Sequence, residues 1–202
     1  MSPAWLIRFR WYCICIIVGM AIVPKQFFFT KGIGIHEKDM RAFEEALRDA
    51  GVHTCNFIKT SSVIPPGCKL ISKEEGIKLL QPGQITFAIM AQSMTNEPGQ
   101  MVTAGIGMAQ PKDKTKHGFL TEVEEIIGRT PEDVEQDVIE MAIENLITQW
   151  NPKFDGEKVF RKGKQNYTIE GEDILVDSIV ESAQGAEKNQ YTVVVVLAVF
   201  IY

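Results

Sequence analysis

From Lys25 onward, apolar runs are punctuated by Gly, Pro and charged positions at intervals that fit a mixed α and β domain. Gln26-Phe27-Phe28-Phe29-Thr30 predicts a buried strand ending at Lys31-Gly32. Over residues 37–50, Met40, Phe43, Leu47 and Ala50 recur at helical spacing on one face, and Gly51 supplies the C-terminal stop. Residues 55–60 form a short strand running into Ser61-Ser62, after which Pro65-Pro66-Gly67 enforces a turn. A short helix spans residues 73–80, with Ser72 and Glu75 spaced as a capping box.

Three strands follow at 84–93, 101–109 and 118–124, separated by loops at 96–99 and 111–117. Thr130-Pro131-Glu132-Asp133 is a strong helix start: an N-cap, a proline at the first helical position, and acids where the helix dipole favours them. That helix carries Val134, Val138, Met141, Ala142 and Leu146 inward and runs to about residue 150. After a polar stretch at 151–165, strands are predicted at 167–180 and 191–202. The last contains Val193 to Ile201 without a polar break, the signature of a strand covered on both faces and central in a layered α/β sandwich. With 202 residues, no internal repeat and no interdomain linker, a single domain is expected.

Composition narrows the function classes. Apolar residues make up 45% and charged residues 23%, ordinary for a globular chain, and the net charge is −5. An acidic chain with no strong Lys/Arg cluster excludes nucleic acid as the expected partner. Cysteines at 13, 15, 55 and 68 form no C-x-x-C pair, and His36, His53 and His117 are far apart, so no metal site is expected. Four cysteines are too few for a disulfide scaffold, which points to a reduced, cytoplasmic chain.

The front of the chain is different in kind. Arg8 and Arg10 precede an apolar run from Trp11 to Val23, too short for a bilayer-spanning helix of roughly 20 residues. Three readings stand, in this order: a dispensable extension upstream of a start at Met20, a secretory signal lacking an A-x-A cleavage site, and a membrane anchor. Residues 1–23 are therefore set apart from a domain at 24–202, and no membrane partner is expected.

Gly105-Ile106-Gly107 and Gly32-Ile33-Gly34 each give half of a dinucleotide-binding fingerprint. Neither has the third glycine or a helix in the right place; Gly105 and Gly107 sit within a strand pattern, where close backbone approach or a bulge is the better reading. Lys112, Lys114 and Lys116 read as a solvated loop. The segment Thr60-Ser61-Ser62-Val63-Ile64-Pro65-Pro66 is less ordinary, because adjacent serines end an apolar strand directly before a rigid double-proline turn. A serine hydroxyl held against the preceding carbonyl in a strained geometry attacks it, converting amide to ester. Elimination from that ester leaves dehydroalanine, which hydrolyses to a pyruvoyl group.

The segment Asn56 to Pro66 resembles the self-cleavage segment of the pyruvoyl-dependent arginine decarboxylases. The likeness runs over nearly all of residues 22–202. It takes in Ile22-Val23-Pro24-Lys25, Phe28 to Gly32, the helix Phe43 to Gly51, Gly105-Ile106-Gly107, Pro111-Lys112-Asp113, the strand Gly118 to Glu122 and the closing apolar strand. The resemblance implies a four-layer αββα sandwich of the α/β (α+β) class, a single domain self-cleaved between Ser61 and Ser62. It implies a covalent pyruvoyl cofactor derived from Ser62, without metal or pyridoxal phosphate, at the head of a 141-residue fragment. The keto group would form a Schiff base with the amine of arginine and act as electron sink, giving agmatine and carbon dioxide, a step toward polyamines. The assembly implied is a homotrimer with sites between protomers.

Site roles follow from the same likeness. Glu122 matches the proton donor, although on composition alone it is also one of three acids at a strand end, with Glu124 and Glu125. Asn56 matches a polar residue near the cleaved bond, Leu47 an apolar contact for the substrate's methylenes, and Val63 joins the substrate-binding set. Glu44 stands where the family pattern has an aspartate facing the guanidinium; it keeps the carboxylate but adds a methylene, so arginine specificity is less fixed than cleavage. A decarboxylase for another amino acid and an unprocessed, non-catalytic scaffold are the competing readings.

Overall fold

The computed structural model describes residues 21–153, 167–169, 171–187 and 189–202, apart from the side chain of Glu125. The readings of residues 1–20 and of most of the polar stretch after residue 153 lie outside the described residues.

Two five-stranded sheets stack face to face. The first has the order β2 (Asn56–Lys59), β5 (Ile85–Thr95), β10 (Tyr191–Ile201), β1 (Gln26–His36), β4 (Lys69–Ile71). The second has the order β3 (Val63–Ile64), β7 (Gly118–Ile127), β6 (Met101–Pro111), β9 (Glu172–Gln184), β8 (Tyr167–Ile169). Helices α1 (Asp39–Asp49) and α2 (Lys73–Leu79) cover the outer face of the first sheet, and α3 (Pro131–Ile147) that of the second. The layering is therefore αββα.

β10 is the middle strand of its sheet. Val194, Val196 and Ala198 face the core between the sheets, while Val193, Val195, Leu197 and Val199 face the α1 layer, every one of them fully buried. Burial of each such Val or Leu side chain contributes about 1.5–3 kcal/mol, which is why this run tolerates no polar residue. β1 lies between β10, with which it forms an eleven-rung antiparallel ladder, and the short parallel strand β4.

Several boundaries differ from the sequence expectation. β1 does not stop at Lys31-Gly32 but continues to His36, because Gly32 and Gly34 seat the helix rather than turn the chain. A Cβ at Gly32 would stand 2.2 Å from the Ala46 carbonyl oxygen, and one at Gly34 1.9 Å from that of Ala42. At so close an approach α1 must present small residues, so Ala42, Ala46 and Ala50 are buried with Leu47, whereas Met40, expected inward, is exposed. The second glycine pair repeats the device: a Cβ at Gly107 would lie 2.0 Å from the Val138 carbonyl oxygen of α3. Gly105, beside a register shift in the β6–β7 ladder, would meet the Val134 side chain at 2.9 Å. We expect Gly107→Ala to destabilise the fold by about 1–3 kcal/mol or more, read as a lower denaturation midpoint in urea.

Helix α3 starts as expected, the Thr130 hydroxyl accepting from the Asp133 N–H at 3.2 Å. Its buried arc runs through Val134, Val138, Ala142, Leu146, Ile139, Ile143 and Ile147, and Met141 falls past the edge of that arc, partly exposed. The strand expected over 167–180 is instead a hairpin, β8 to β9, turned at Gly171 with φ +81°. The short strands β3 and β4, on either side of the double-proline turn, carry too few residues to show a period in the sequence.

Candidate active site

β2 is an edge strand, and the Thr60 N–H makes the last bond to its neighbour, donating to the Ala88 carbonyl at 3.1 Å. The chain then leaves the first sheet and enters β3 at the edge of the second. Ser61 and Ser62 are the crossing. Ser61 is exposed and Ser62 half-buried.

The crossing is held by backbone hydrogen bonds. The Val63 N–H donates to the Ser61 carbonyl at 3.1 Å, closing a γ-turn centred on Ser62, and the Leu120 N–H donates to the Ser62 carbonyl at 2.7 Å. Downstream, the Cys68 N–H donates to the Pro65 carbonyl at 3.1 Å, with Gly67 at φ +73°. Asn189 is the one non-glycine residue with positive φ among the described residues, so Ser62 keeps a negative φ. Hydrogen bonds, not a left-handed backbone, fix this segment. Thr60, Ser61, Val63 and Pro65 line a cleft of about 190 Å³ against Phe87 and Tyr202, whose rings meet edge to face at 5.9 Å.

Glu122 reaches the same seam from β7. In the β3–β7 pairing Val63 stands opposite Phe119, which sets Leu120 beside Ser62 and Glu122 two residues further on. Leu120 is fully buried between the sheets, whereas the Thr121 hydroxyl donates outward to the Val138 carbonyl of α3 at 2.8 Å. Alternation therefore turns Glu122 to the inner face, where it is half-buried. Burial is the main cause that pushes its carboxyl above the usual range; a bond to its own backbone opposes the rise, Glu124 adds to it, and Lys59 opposes it.

The other expected residues lie elsewhere in the chain. Asn56 opens β2, exposed, with its amide given to the Gly83 carbonyl at 3.0 Å. Five residues of extended strand separate it from Ser61, about 16 Å. Leu47 is buried in the core beneath α1. Glu44 is exposed on the same helix and borders a cavity of about 530 Å³ with Glu37, Asp39, Arg41 and Tyr191. α1 covers β1 and β10, two to three strands across from β2 (about 10–14 Å) and on the opposite face of the sheet from Glu122. One chain thus brings together Ser61, Ser62, Val63 and Glu122, but not Asn56, Leu47 or Glu44.

A profile of the family described as pyruvoyl-dependent arginine decarboxylase matches residues 26–202. The chain belongs to the pyruvoyl-dependent arginine decarboxylase family. It is 40% identical over 182 residues to a probable pyruvoyl-dependent arginine decarboxylase of Chlorobaculum parvum, covering 90% of this chain and 99% of that protein. It is 38% identical over 180 residues to the pyruvoyl-dependent arginine decarboxylase of Nitrosopumilus maritimus, covering 89% and 98%. To that of Thermoplasma volcanium it is 37% identical over 179 residues, covering 89% and 97%.

The described residues suit the group that names the family. Ser62 offers a hydroxyl beside a carbonyl already bound by an N–H, at a seam that also holds a half-buried carboxyl. Among the described residues no group of three His, Cys, Asp or Glu side chains is arranged to hold a metal ion, and no helix is long and apolar enough to cross a membrane. Cys68, buried and free, has its thiol pushed up to about 11 by burial and stays protonated near neutral pH. The sequence reading did not find Lys59 and Glu124, whose ion pair at 3.2 Å closes the seam. Their alternating positions near Ser61 and Glu122 were the available signal.

Proposed function

We propose that the chain cuts its own Ser61–Ser62 bond and, with the pyruvoyl group so formed from Ser62, decarboxylates arginine to agmatine. The observation that carries the reading is the γ-turn at Ser62, whose bond from the Val63 N–H to the Ser61 carbonyl polarises the carbonyl that must be attacked. The Ser62 hydroxyl adds to that carbon, the amide C–N bond breaks, and the Ser61 acyl group passes to oxygen as an ester. Loss of the Ser62 α-proton expels the Ser61 carboxylate, and water converts the resulting enamine to the keto group with release of ammonia. The pyruvoyl group supplies a keto carbon and a conjugated sink for the electron pair left by carbon dioxide.

Glu122 serves as the acid that returns a proton to the substrate carbon, and its burial keeps it protonated at higher pH than an exposed glutamate. Val63 flanks the reacting group. Asn56 and Glu44 come to the site from a neighbouring copy in a homotrimer, with Glu44 facing the guanidinium, while Leu47, buried beneath α1, backs the helix that carries Glu44. Two observations support this division: those residues sit too far from Ser62 within one chain, and Ile58, Val63, Ile85, Met94 and Ile127 leave exposed apolar side chains on the edge strands β2 and β3 and on their neighbours β5 and β7.

Intact-mass measurement on purified protein tests the reading. A 141-residue fragment beginning at residue 62 with a blocked, borohydride-reducible end is expected. A single uncut chain carrying a free hydroxyl at Ser62 would overturn it. Carbon dioxide release measured across arginine, histidine, lysine, aspartate and leucine is expected to favour arginine, and equal turnover of leucine would remove Glu44 from the guanidinium role.

A further inference from the structure

Lys59 stands two residues before Ser61, and its Nζ lies 3.2 Å from Oε2 of Glu124 on β7. Both side chains are about half exposed, so as a bridge alone the pair contributes little stability. Its placement is more informative. The pair joins the edge strand of one sheet to β7 of the other, beyond the two residues that β3 covers, and a cut after Ser61 would leave Lys59 on one fragment and Glu124 on the other. Lys59 and Glu124 also line a seam cavity of about 420 Å³ whose remaining walls, Gln92, Met94 and Ile127, carry no charge.

Glu122 stands two residues from Glu124 on β7. The charges that act on it are Lys59 from β2 and Glu124 along β7. From β6 its partner is Ile106, and β3 carries no titratable group. We propose that Lys59 and Glu124 are positioning residues for Glu122, pairing across the seam so that together they set how firmly its carboxyl keeps a proton. The proposal rests on Glu122 as the proton donor only for its catalytic consequence. The two charges act in opposite senses: the ammonium favours the carboxylate and Glu124 disfavours it. While paired they largely cancel, leaving burial in control. Removing either one exposes Glu122 to the other.

The test uses the full-length Ser62→Ala chain, in which no pyruvoyl forms, and follows the Glu122 carboxyl carbon by NMR as pH is varied. Lys59→Met is expected to raise the proton affinity of Glu122 about three- to tenfold, and Glu124→Gln to lower it by a similar factor. The double variant should return to within about twofold of the parent, and Lys59→Arg should leave it unchanged. A purely structural role would move both single variants in the same direction; that result, or changes below twofold, would overturn the proposal. In the processed enzyme the alkaline limb of the agmatine-formation profile should move with each variant. If the NMR titration moves and the limb does not, the charge pair stands and Glu122 is not the donor.

Discussion

Replacing Ser62 with alanine should yield one uncut 202-residue chain with no arginine decarboxylation at any pH. On the proposed mechanism the loss is complete because the hydroxyl is the nucleophile of the cut and then, as the ester oxygen, the group whose elimination opens Ser62 to the keto group. The fold should survive. Ser62 contributes its backbone carbonyl to the Leu120 N–H and its backbone to the γ-turn, and alanine retains both. Ser61→Ala is the informative partner: Ser61 supplies the carbonyl, not the hydroxyl, so this variant should still be cut. Mass spectrometry of the two variants reads both outcomes. Cleavage in Ser62→Ala, or its abolition in a folded Ser61→Ala, would show that the reacting hydroxyl has been misassigned.

Glu122→Gln should leave the cut intact and lower kcat by about 10²–10⁴-fold, or about 3–5 kcal/mol of transition-state stabilisation. Glutamine preserves shape and a hydrogen-bonding end but has no proton to give at neutral pH. The pH dependence follows from the raised proton affinity of Glu122. With Glu122 as the proposed donor the acid form is the active one, so wild-type activity should persist below that raised value and be lost as pH climbs through it. In Glu122→Gln this alkaline limb should disappear from the residual rate. A variant that keeps both its rate and its limb would return Glu122 to the ordinary role of a strand-end acid.

The elements legible in the sequence are those whose information is local. The valine run of β10 can only be a doubly covered strand, and Thr130-Pro131 marks the start of α3 whatever packs against it. The adjacent serines before two prolines are legible for the same reason, since the proposed cut would involve only neighbouring residues. What stayed hidden depends on contacts between distant segments. The glycine pairs revealed their purpose only with Ala42, Ala46 and Val138 laid against them, and the same close approach put Met40 outside. The seam of Lys59, Glu122 and Glu124 requires knowing that β2, an edge strand of one sheet, lies against β7 of the other. The dispersal of Asn56, Leu47 and Glu44 away from Ser62 is likewise a fact of layers, which no spacing encodes.

If Ser61–Ser62 is cut as proposed, the position of the cut in the topology gives the processed protein a history. The fragment ending at Ser61 would contain α1 and the strands β1 and β2, both of the first sheet. Yet β1 is wedged between β10 and β4, both on the other fragment, through eleven rungs on one side and three on the other. The small fragment has no sheet of its own to fold into, so the whole sandwich must be assembled before the bond is broken. Once broken, the pieces stay interlocked, but what had been a single chain finding its shape becomes an encounter between two molecules whose success depends on concentration. Unfolding the cut protein therefore erases an order of events that dilution alone would prevent from being repeated.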